Sequence, residues 1–266
     1  MKHLLSVWHE VEAVFKDRTL ILFLDYDGTL TPIVERPSQA KLSLAGKRIL
    51  RELVRTPGVK TAIVSGRTLA DVKKRVGIPG LIYVGNHGLE LEGPSISFTH
   101  PQAVEAKKLI AMIKARLKSA FRSFKGVLVE DKFFALSVHH RRLAQAQEGA
   151  ARALFLKILR PYAKTSGILL TEGKKVWEVR PAVRWNKGTT VLWLYGRVLA
   201  QSSEEKILPL YVGDDRTDED AFRALKPVGI SVRVTDGETE ESDADYFLRS
   251  PAEVYGFLRR VQSLKS

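Results

Sequence analysis

Residues 20–30 read Leu20-Ile21-Leu22-Phe23-Leu24-Asp25-Tyr26-Asp27-Gly28-Thr29-Leu30, and this stretch decides the fold. Its five consecutive apolar residues predict a fully buried strand. Because alternate side chains of a strand share a face, we expect Asp25 and Asp27 to project the same way. Two carboxylates that face one spot repel each other unless a cation lies between them or one is protonated. The pair suits a hard divalent cation, or a carboxylate nucleophile beside a carboxylic acid, although an ordinary strand ending in an Asp-Gly turn has the same pattern.

Composition limits the class of protein. The chain has 266 residues, of which 44% are hydrophobic and 27% are charged, enough for one large domain or two modest ones. The absence of cysteine excludes disulfides, thiolate zinc sites and a thiol nucleophile. No apolar run approaches the roughly 20 residues of a membrane helix, and the first ten residues resemble an amphipathic helix rather than a signal peptide. We therefore expect a cytoplasmic protein without membrane contact.

The net charge of +13 is concentrated in the middle of the chain. Residues 100–185 hold 18 Lys+Arg against 6 Asp+Glu, and so carry +12 of the total. Few aromatic residues lie between these cations, which favours a solvated basic face over a nucleic-acid site. Attraction of an anionic substrate is the other reading. A segment so different from both flanks also indicates a separate module.

Buried strands alternate with helices in the two outer parts of the chain. We predict strands over residues 20–24, 59–64, 81–84, 207–212 and 228–233, and helices over 44–55, 68–76, 187–200, 218–225 and 252–264. This alternation is typical of a parallel sheet covered on both faces. Ligands of such sheets bind at the carboxyl ends of the strands.

The middle of the chain follows another pattern. Helices over 103–124 and 143–159 each precede two strands, over 126–130 and 133–139 and over 168–172 and 175–180, the last two joined by the turn Glu172-Gly173-Lys174. This order predicts a small α+β domain with an antiparallel sheet. We therefore expect an α/β core formed by residues 1–99 and 186–266, with an inserted domain of residues 100–185. An inserted lid suits chemistry that must exclude water.

Three further elements are expected at the same sheet edge as Asp25. Ser65 follows the second strand and offers a hydroxyl to an anion. Lys187 begins a helix and offers a point charge to a phosphoryl oxygen. Asp214 and Asp215 end the strand at 207–212, close enough to complete the shell of a Mg²⁺ ion. Each element is common by itself, so their order and shared location carry the argument.

With these residues in place, the chain resembles the haloacid dehalogenase-like phosphohydrolases, and within them the trehalose-6-phosphate phosphatases. The narrower resemblance runs in order from about residue 18 to residue 262. It rests on Asp25-Tyr26-Asp27-Gly28-Thr29-Leu30-Thr31-Pro32, Ser65-Gly66-Arg67, Gly85-Asn86-His87-Gly88, Val129-Glu130-Asp131-Lys132, Val138-His139-His140-Arg141, Glu178-Val179-Arg180-Pro181, Asn186-Lys187-Gly188 and Gly213-Asp214-Asp215-Arg216-Thr217-Asp218-Glu219-Asp220. The resemblance implies a Rossmann-like core with a parallel sheet and an inserted α+β cap of the C2 type.

The resemblance also implies roles for the core residues. Asp25 would attack phosphorus and form an aspartyl-phosphate, and Asp27 would act as the acid and then the base. Asp25, the main-chain carbonyl of Asp27 and Asp214 would hold Mg²⁺, while Ser65 and Lys187 would hold the phosphate oxygens. The supporting residues around them would be Thr29, Asp215 and Asp218.

The implied substrate contacts lie in the cap and beside the core loops. A phosphorylated disaccharide presents many hydroxyls, so its pocket needs charged groups that form strong hydrogen bonds. The candidates are Arg67, His87, Glu130, Lys132, His139, Arg141, Glu178 and Arg180. We expect Trp177 and Trp185 to be packing or hinge residues rather than platforms that stack on a sugar.

The leading hypothesis is a Mg²⁺-dependent phosphatase acting on trehalose 6-phosphate. The alternatives are a related phosphatase acting on sucrose phosphate or on a mannosyl or glucosyl phosphoglycerate, and a binding protein without catalysis. We expect no fusion to trehalose-6-phosphate synthase, because no extension of that size is present, but association with that enzyme stays open.

Overall fold

The computed structural model describes residues 1–34, 37–164, 167–173, 175–201, 206–237 and 241–266. The strands are β1 (Lys2–His3), β2 (Thr19–Asp25), β3 (Val59–Val64), β4 (Ile82–Gly85), β5 (Glu90–Gly93), β6 (Ile96–Thr99), β7 (Leu128–Asp131), β8 (Leu136–His139), β9 (Ile168–Gly173), β10 (Val176–Pro181), β11 (Ile207–Gly213), β12 (Ile230–Val234) and β13 (Tyr246–Leu248). The helices are α1 (Trp8–Lys16), α2 (Leu44–Arg55), α3 (Leu69–Val76), α4 (Pro101–Ala120), α5 (Gln145–Lys164), α6 (Lys187–Gln201), α7 (Glu219–Leu225) and α8 (Pro251–Lys265), with short 3₁₀ turns at Pro37–Gln39, Asn86–Gly88 and Phe121–Ser123.

The chain divides into two compact units. The first unit consists of residues 1–98 and 185–266, and the second of residues 99–184. The chain therefore leaves the first unit once and returns to it. Each unit has a sheet and a hydrophobic cluster of its own.

The first unit has a nine-stranded sheet within the described residues, in the order β1-β13-β12-β11-β2-β3-β4-β5-β6. Along this order, every pair of neighbouring strands from β1 through β13, β12, β11, β2 and β3 to β4 is parallel, and β5 is antiparallel to β4. Leu20, Leu22 and Leu24 face a cluster completed by α1, α2, α3 and α8. Ile21 and Phe23 face the opposite cluster, formed with α6 and α7. Burial on both faces explains why β2 reads as a continuous apolar run rather than an alternating one.

The second unit has a sheet in the order β7-β8-β10-β9, antiparallel throughout. α4 and α5 supply apolar residues to a cluster that includes Trp177 and Val179 of β10. The Trp177 ring stacks on Phe155 and on His140, with centroids 5.0 and 4.1 Å apart. Trp177 therefore packs in the core, as the sequence predicts.

The fold class is confirmed: α/β, with a mostly parallel sheet in one unit and an antiparallel α+β arrangement in the other. The prediction of an amphipathic helix over the first ten residues is wrong for the first of them. Lys2–His3 form a strand that pairs with Tyr246 and Phe247, and the helix begins at Trp8. In the second unit, the first predicted helix ends four residues early, at Ala120, and continues as a 3₁₀ turn. Lys174, part of the predicted turn between β9 and β10, lies outside the described residues. None of the described helices has both the length and the apolar character needed to cross a membrane.

Candidate active site

The site begins where three neighbouring parallel strands end. β2 lies between β11 and β3, with Asp25 paired to Val64 and Val212 paired to Leu24. Ser65, Asp214 and Asp25 are thus the residues that leave adjacent strands at the same edge. The common edge follows from parallel pairing, as the sequence predicts.

Asp25 is buried and faces a buried lysine. Its Oδ1 accepts a hydrogen bond from Lys187 Nζ at 2.8 Å, and only 5% of Asp25 is exposed. Within the described residues, no hydrogen bond reaches its other oxygen. Burial raises the pKa of Asp25 well above its usual range, and Asp218 and Asp214 add to the rise while Lys187 opposes it. Burial alone would lower the pKa of Lys187, but Asp218 and Asp25 raise it, so the lysine stays charged.

Lys187 owes its position to the start of α6. The Asn186 side chain accepts a hydrogen bond from Thr189 N at 2.9 Å, and the Thr189 hydroxyl accepts one from Asn186 N at 2.7 Å. This reciprocal pair satisfies helix N–H groups that have no partner inside the helix. It fixes Lys187 as the first helical residue, with its side chain 3% exposed.

Asp218 is the most heavily hydrogen-bonded carboxylate of the site. Its Oδ1 accepts from Lys187 Nζ and from the Tyr211 hydroxyl, both at 2.6 Å. Its Oδ2 accepts from the main-chain N–H groups of Asp214 and Asp215, at 3.1 and 3.0 Å. Four donors fill the acceptor positions of a carboxylate, so Asp218 is suited to hold Lys187 and the loop after β11 in place.

Asp214 has little support from protein donors. The Thr29 hydroxyl donates to its Oδ1 at 3.1 Å, which is the only hydrogen bond to this carboxylate in the described part of the chain. Burial, with the charges of Asp218 and Asp215, raises the pKa of Asp214 from 3.8 to about 7. Gly28 lies directly against it: its φ is +89°, and a Cβ there would collide with the Asp214 carboxylate. Only glycine fits at this close approach.

Three carboxylates and one lysine leave the site with excess negative charge. Asp25, Asp214 and Asp218 each offer one oxygen, and the three oxygens lie within 4.8 Å of one another. Lys187 is the one cation that binds to any of them in the described structure. Buried like charges of this kind are stable when a cation lies between them. The site therefore fits a divalent metal ion, and because Asp218 is already saturated, Asp25 and Asp214 are the side chains suited to hold it.

Asp27 is held in another way, by Arg67. Arg67 donates from Nε and Nη2 to the two oxygens of Asp27, at 2.7 and 2.6 Å, and from Nη1 to Asp71 at 2.8 Å. The Asp27 side chain is 42% exposed, in contrast to that of Asp25. In this arrangement Arg67 binds a candidate catalytic carboxylate, whereas Arg67 is predicted from the sequence to contact the substrate. Its contact with substrate stays a prediction.

Ser65 and His87 lie in two loops that are joined. Ser65 is 1% exposed and its hydroxyl accepts from Arg67 N at 3.1 Å. His87 N donates to the Ser65 carbonyl at 3.0 Å, and the His87 ring lies so close to Gly66 that a Cβ there would clash with it. Asn86 and His87 both have left-handed backbone, with φ of 48° and 56°. Strain of this kind in a non-glycine pair is common at functional sites.

The remaining predicted residues belong to the second unit. Pairing across β7, β8 and β10 sets Glu130, Ser137 and Glu178 in one row, on the face opposite Trp177 and Val179. Glu178 accepts from Lys132 Nζ and from the Ser137 hydroxyl, both at 3.0 Å, and is also bound by Arg180. His139 Nε2 and Glu130 Oε2 are 2.7 Å apart.

Five of the six predicted residues in the second unit thus form two polar clusters on one sheet face. Arg141 is exposed in the turn after β8 and joins neither cluster.

Sequence reasoning missed three residues that the structure brings to the first unit's site. They are Asp71 and Arg75 of α3 and Tyr211 of β11. Asp71 in the first turn of a helix resembles an ordinary acidic residue near an N-terminus. Tyr211 lies in an apolar strand and resembles a core residue, so its hydroxyl bond to Asp218 had no local signal.

An Asp-x-Asp pair after a central strand, a buried lysine at a helix start and two aspartates after a neighbouring strand place this chain among the haloacid dehalogenase-like phosphohydrolases. Comparison with known proteins narrows the class. Residues 23–252 match the family model described as trehalose-phosphatase. With that match, the chain belongs to the trehalose-phosphatase family and is a phosphatase.

Individual relatives agree with this membership. A probable trehalose-phosphate phosphatase D of Arabidopsis thaliana is 35% identical over 271 residues, which cover 98% of this chain and 72% of the relative. A trehalose-phosphate phosphatase of Mycobacterium tuberculosis (strain H37Rv) is 40% identical over 246 residues, covering 90% of this chain and 60% of that longer protein. The solved C-terminal domain of a Candida albicans trehalose-6-phosphate phosphatase aligns with a TM-score of 0.79 at 28% identity, over 97% of this chain and 98% of that domain.

Proposed function

We propose that this chain hydrolyses trehalose 6-phosphate to trehalose and phosphate through an aspartyl-phosphate on Asp25. The observation that carries the proposal is the buried Asp25 carboxylate, with one oxygen held by Lys187 and the other accepting no hydrogen bond within the described residues. A desolvated carboxylate with a free oxygen is a suitable nucleophile. Membership of the trehalose-phosphatase family supports the choice of substrate.

In the first half-reaction, an Asp25 oxygen forms a bond to phosphorus while the bond from phosphorus to the sugar oxygen breaks. The sugar oxygen takes the bonding electron pair and receives a proton from the Asp27 carboxylic acid, which releases trehalose. In the second half-reaction, water attacks phosphorus and gives its proton to Asp27. The bond from phosphorus to Asp25 then breaks, and Asp25 regains its carboxylate as phosphate leaves. Splitting one displacement into two is the advantage of a covalent intermediate.

Lys187 and Ser65 bind the phosphate oxygens in this proposal. Lys187 lies 2.8 Å from Asp25, so a phosphoryl group on Asp25 is within reach of its charge. Ser65 leaves the neighbouring strand at the same level. Asp218 keeps Lys187 charged and oriented, and Asp215 and Thr29 support the Asp214 loop and carboxylate.

The metal ion in this proposal is Mg²⁺, held by Asp25, Asp214 and the main-chain carbonyl of Asp27. Carboxylate and carbonyl oxygens are the ligands this ion prefers. When bound, the ion supplies positive charge opposite the phosphate oxygens. The uncompensated charge of the three aspartates supports its presence.

The second unit is proposed to be the cap that binds the sugar. Its sheet face opposite Trp177 carries the carboxylates Glu130 and Glu178, each joined to a basic side chain. Paired charges of this kind form strong, directed hydrogen bonds to hydroxyls. The proposed sugar contacts are Glu130, Lys132, His139, Arg141, Glu178 and Arg180, together with His87 of the first unit.

Phosphate release from a panel of sugar phosphates tests the proposal. The panel contains trehalose 6-phosphate, sucrose phosphate and mannosyl and glucosyl phosphoglycerates, each with Mg²⁺ and with a chelator. We expect the highest kcat/KM for trehalose 6-phosphate and no turnover with the chelator. Equal or faster turnover of another sugar phosphate would overturn the substrate assignment. Full activity in the chelator would overturn the proposal that the reaction needs a metal ion.

Two further assignments belong to the proposal. A cytoplasmic location agrees with a chain that has no cysteine. Association with trehalose-6-phosphate synthase is testable by co-purification of the two proteins, and separate elution at micromolar concentration would count against it.

A further inference from the structure

Four alternating charges run from Asp27 into α3. Asp27 is bound by Arg67, Arg67 by Asp71, and Asp71 by Arg75. Asp71 Oδ2 accepts from both arginines, from Arg67 Nη1 at 2.8 Å and from Arg75 Nε at 2.7 Å. All four side chains belong to the first unit. The row therefore connects a candidate catalytic carboxylate to a helix that carries no other predicted site residue.

The far end of the row is anchored to the backbone. Arg75 Nη1 donates to the Ala40 carbonyl at 2.9 Å. Asp71 is fixed in the first turn of α3, where its N–H donates to the Thr68 hydroxyl at 3.1 Å. Burial alone would raise the pKa of Asp71, but Arg75 and Arg67 lower it, so Asp71 is an anion at neutral pH.

Asp71 binds one edge of the Arg67 guanidinium. Arg67 is 8% exposed, and its guanidinium lies 5.5 Å from the centre of the Tyr26 ring. Nη1 is bound to Asp71, which turns the Nε–Nη2 edge towards Asp27. A planar guanidinium held at one edge presents the opposite edge in a fixed orientation. Without the Asp71 carboxylate, Nη1 loses this acceptor, and the charges of Arg67 and Arg75 lose the anion that they share.

We propose that Asp71 is a positioning residue for the phosphatase reaction, because it holds Arg67 in the orientation that fixes the Asp27 carboxylate. This inference rests on the proposed function, in which Asp27 gives a proton to the leaving sugar oxygen. Asp27 is 42% exposed, so the surrounding protein packing alone does not hold it. A general acid has to lie within hydrogen-bond distance of the atom that it protonates. Loss of the anchor therefore weakens proton delivery without removing the group that delivers it.

This role differs from a direct contact between Arg67 and the substrate. If Arg67 bound the phosphate, disturbing it would raise KM for every substrate, and if it bound the sugar, KM would rise for trehalose 6-phosphate alone. If it fixes Asp27, the loss falls on kcat/KM for substrates whose leaving group needs a proton. A sugar alkoxide needs that proton, whereas p-nitrophenolate leaves without one.

The test compares Asp71→Asn with the wild-type enzyme on trehalose 6-phosphate and on p-nitrophenyl phosphate. We expect kcat/KM for the sugar phosphate to fall about tenfold or more, and that for p-nitrophenyl phosphate to fall less than about threefold. KM for trehalose 6-phosphate should stay nearly constant. The matched control is Glu52→Gln, which breaks a similar i,i+4 helix pair with Arg48, 2.9 Å long, far from the site along the chain. It should leave both substrates unaffected.

Equal losses on both substrates, or a rise in KM with constant kcat, would overturn the inference. If Asp71→Asn is too unstable to assay, Asp71→Glu replaces it, since it keeps the charge and shifts the carboxylate by one methylene. For Asp71→Glu too, we expect kcat/KM to fall more for trehalose 6-phosphate than for p-nitrophenyl phosphate. Equal losses on the two substrates would overturn the inference. If the wild-type enzyme does not hydrolyse trehalose 6-phosphate, the proposed function fails on that measurement. The Asp71 comparison is then made on whichever sugar phosphate of the panel it hydrolyses.

Discussion

The Asp214→Asn substitution should make the metal-free protein more stable at pH 8. Asp214 has a pKa of about 7 in the folded protein, against 3.8 for the free side chain, because it is buried beside Asp218 and Asp215. One pKa unit corresponds to about 1.4 kcal/mol, so keeping this carboxylate ionised above pH 7 costs the folded state up to about 4 kcal/mol. Asparagine has a similar shape without the charge, and therefore removes that cost.

The sign of the pH dependence follows from proton binding. The folded protein holds the Asp214 proton more tightly than the unfolded chain, so this group lowers stability as pH rises from about 4 to about 7. At pH 5 the folded wild-type protein carries a neutral Asp214 while the unfolded chain is about one unit above its pKa of 3.8, so the substitution should gain only about 1.6 kcal/mol. At pH 8 it should have its full effect.

Urea unfolding in EDTA at pH 5 and pH 8, followed by tryptophan fluorescence, measures both quantities. The control is Asp17→Asn, an exposed aspartate at the end of α1, which should change neither value. Adding Mg²⁺ should stabilise the wild-type protein and not Asp214→Asn, since a ligand stabilises only the state that binds it. A lower free energy of unfolding for Asp214→Asn at pH 8, or an equal gain at both pH values, would refute the electrostatic argument.

Three substitutions test the other roles. Asp25→Asn should abolish phosphate release because it removes the nucleophile, with an unchanged circular dichroism spectrum; near-normal activity would sink the assignment. Asp218→Asn should lower the free energy of urea unfolding in EDTA by about 1–3 kcal/mol, because an amide cannot satisfy all four donors that Asp218 accepts, and unchanged stability would contradict this account. Glu178→Gln should raise KM for trehalose 6-phosphate about tenfold through loss of charge-assisted hydrogen bonds, while KM for p-nitrophenyl phosphate stays constant; equal effects on both would exclude a sugar contact.

The central elements were predicted well because the sequence pattern that indicates each of them lies within the element itself. β3 and α2 have the predicted bounds, and β2 extends the predicted strand by one residue at each end. β5 and β6 were missed because Glu90–Gly93 and Ile96–Thr99 are short and partly polar. β1 is held by pairing with Tyr246 and Phe247, more than 240 residues away, and no local pattern contains that contact.

The site shows the same division. Asp25, Asp214 and Lys187 were predictable because each follows a strand or begins a helix at one sheet edge. The residues that support the site were not predictable, since Tyr211 resembles a core residue of an apolar strand and Asp71 resembles an ordinary acidic residue in the first turn of a helix. Arg67 is the instructive case: its position in Ser65-Gly66-Arg67 places it at the site, but only the geometry shows that it binds Asp27.

The aspartates of the site look equivalent in sequence, but the hydrogen bonds that they receive separate them. Asp218 accepts four hydrogen bonds and is fully buried, so its charge is satisfied inside the protein. Asp25 accepts one from Lys187, and Asp214 one from Thr29, within the described residues. A buried carboxylate that lacks donors is costly unless a ligand completes it. Asp25 and Asp214 are therefore the carboxylates suited to bind a cation, whereas Asp218 holds Lys187 beside Asp25.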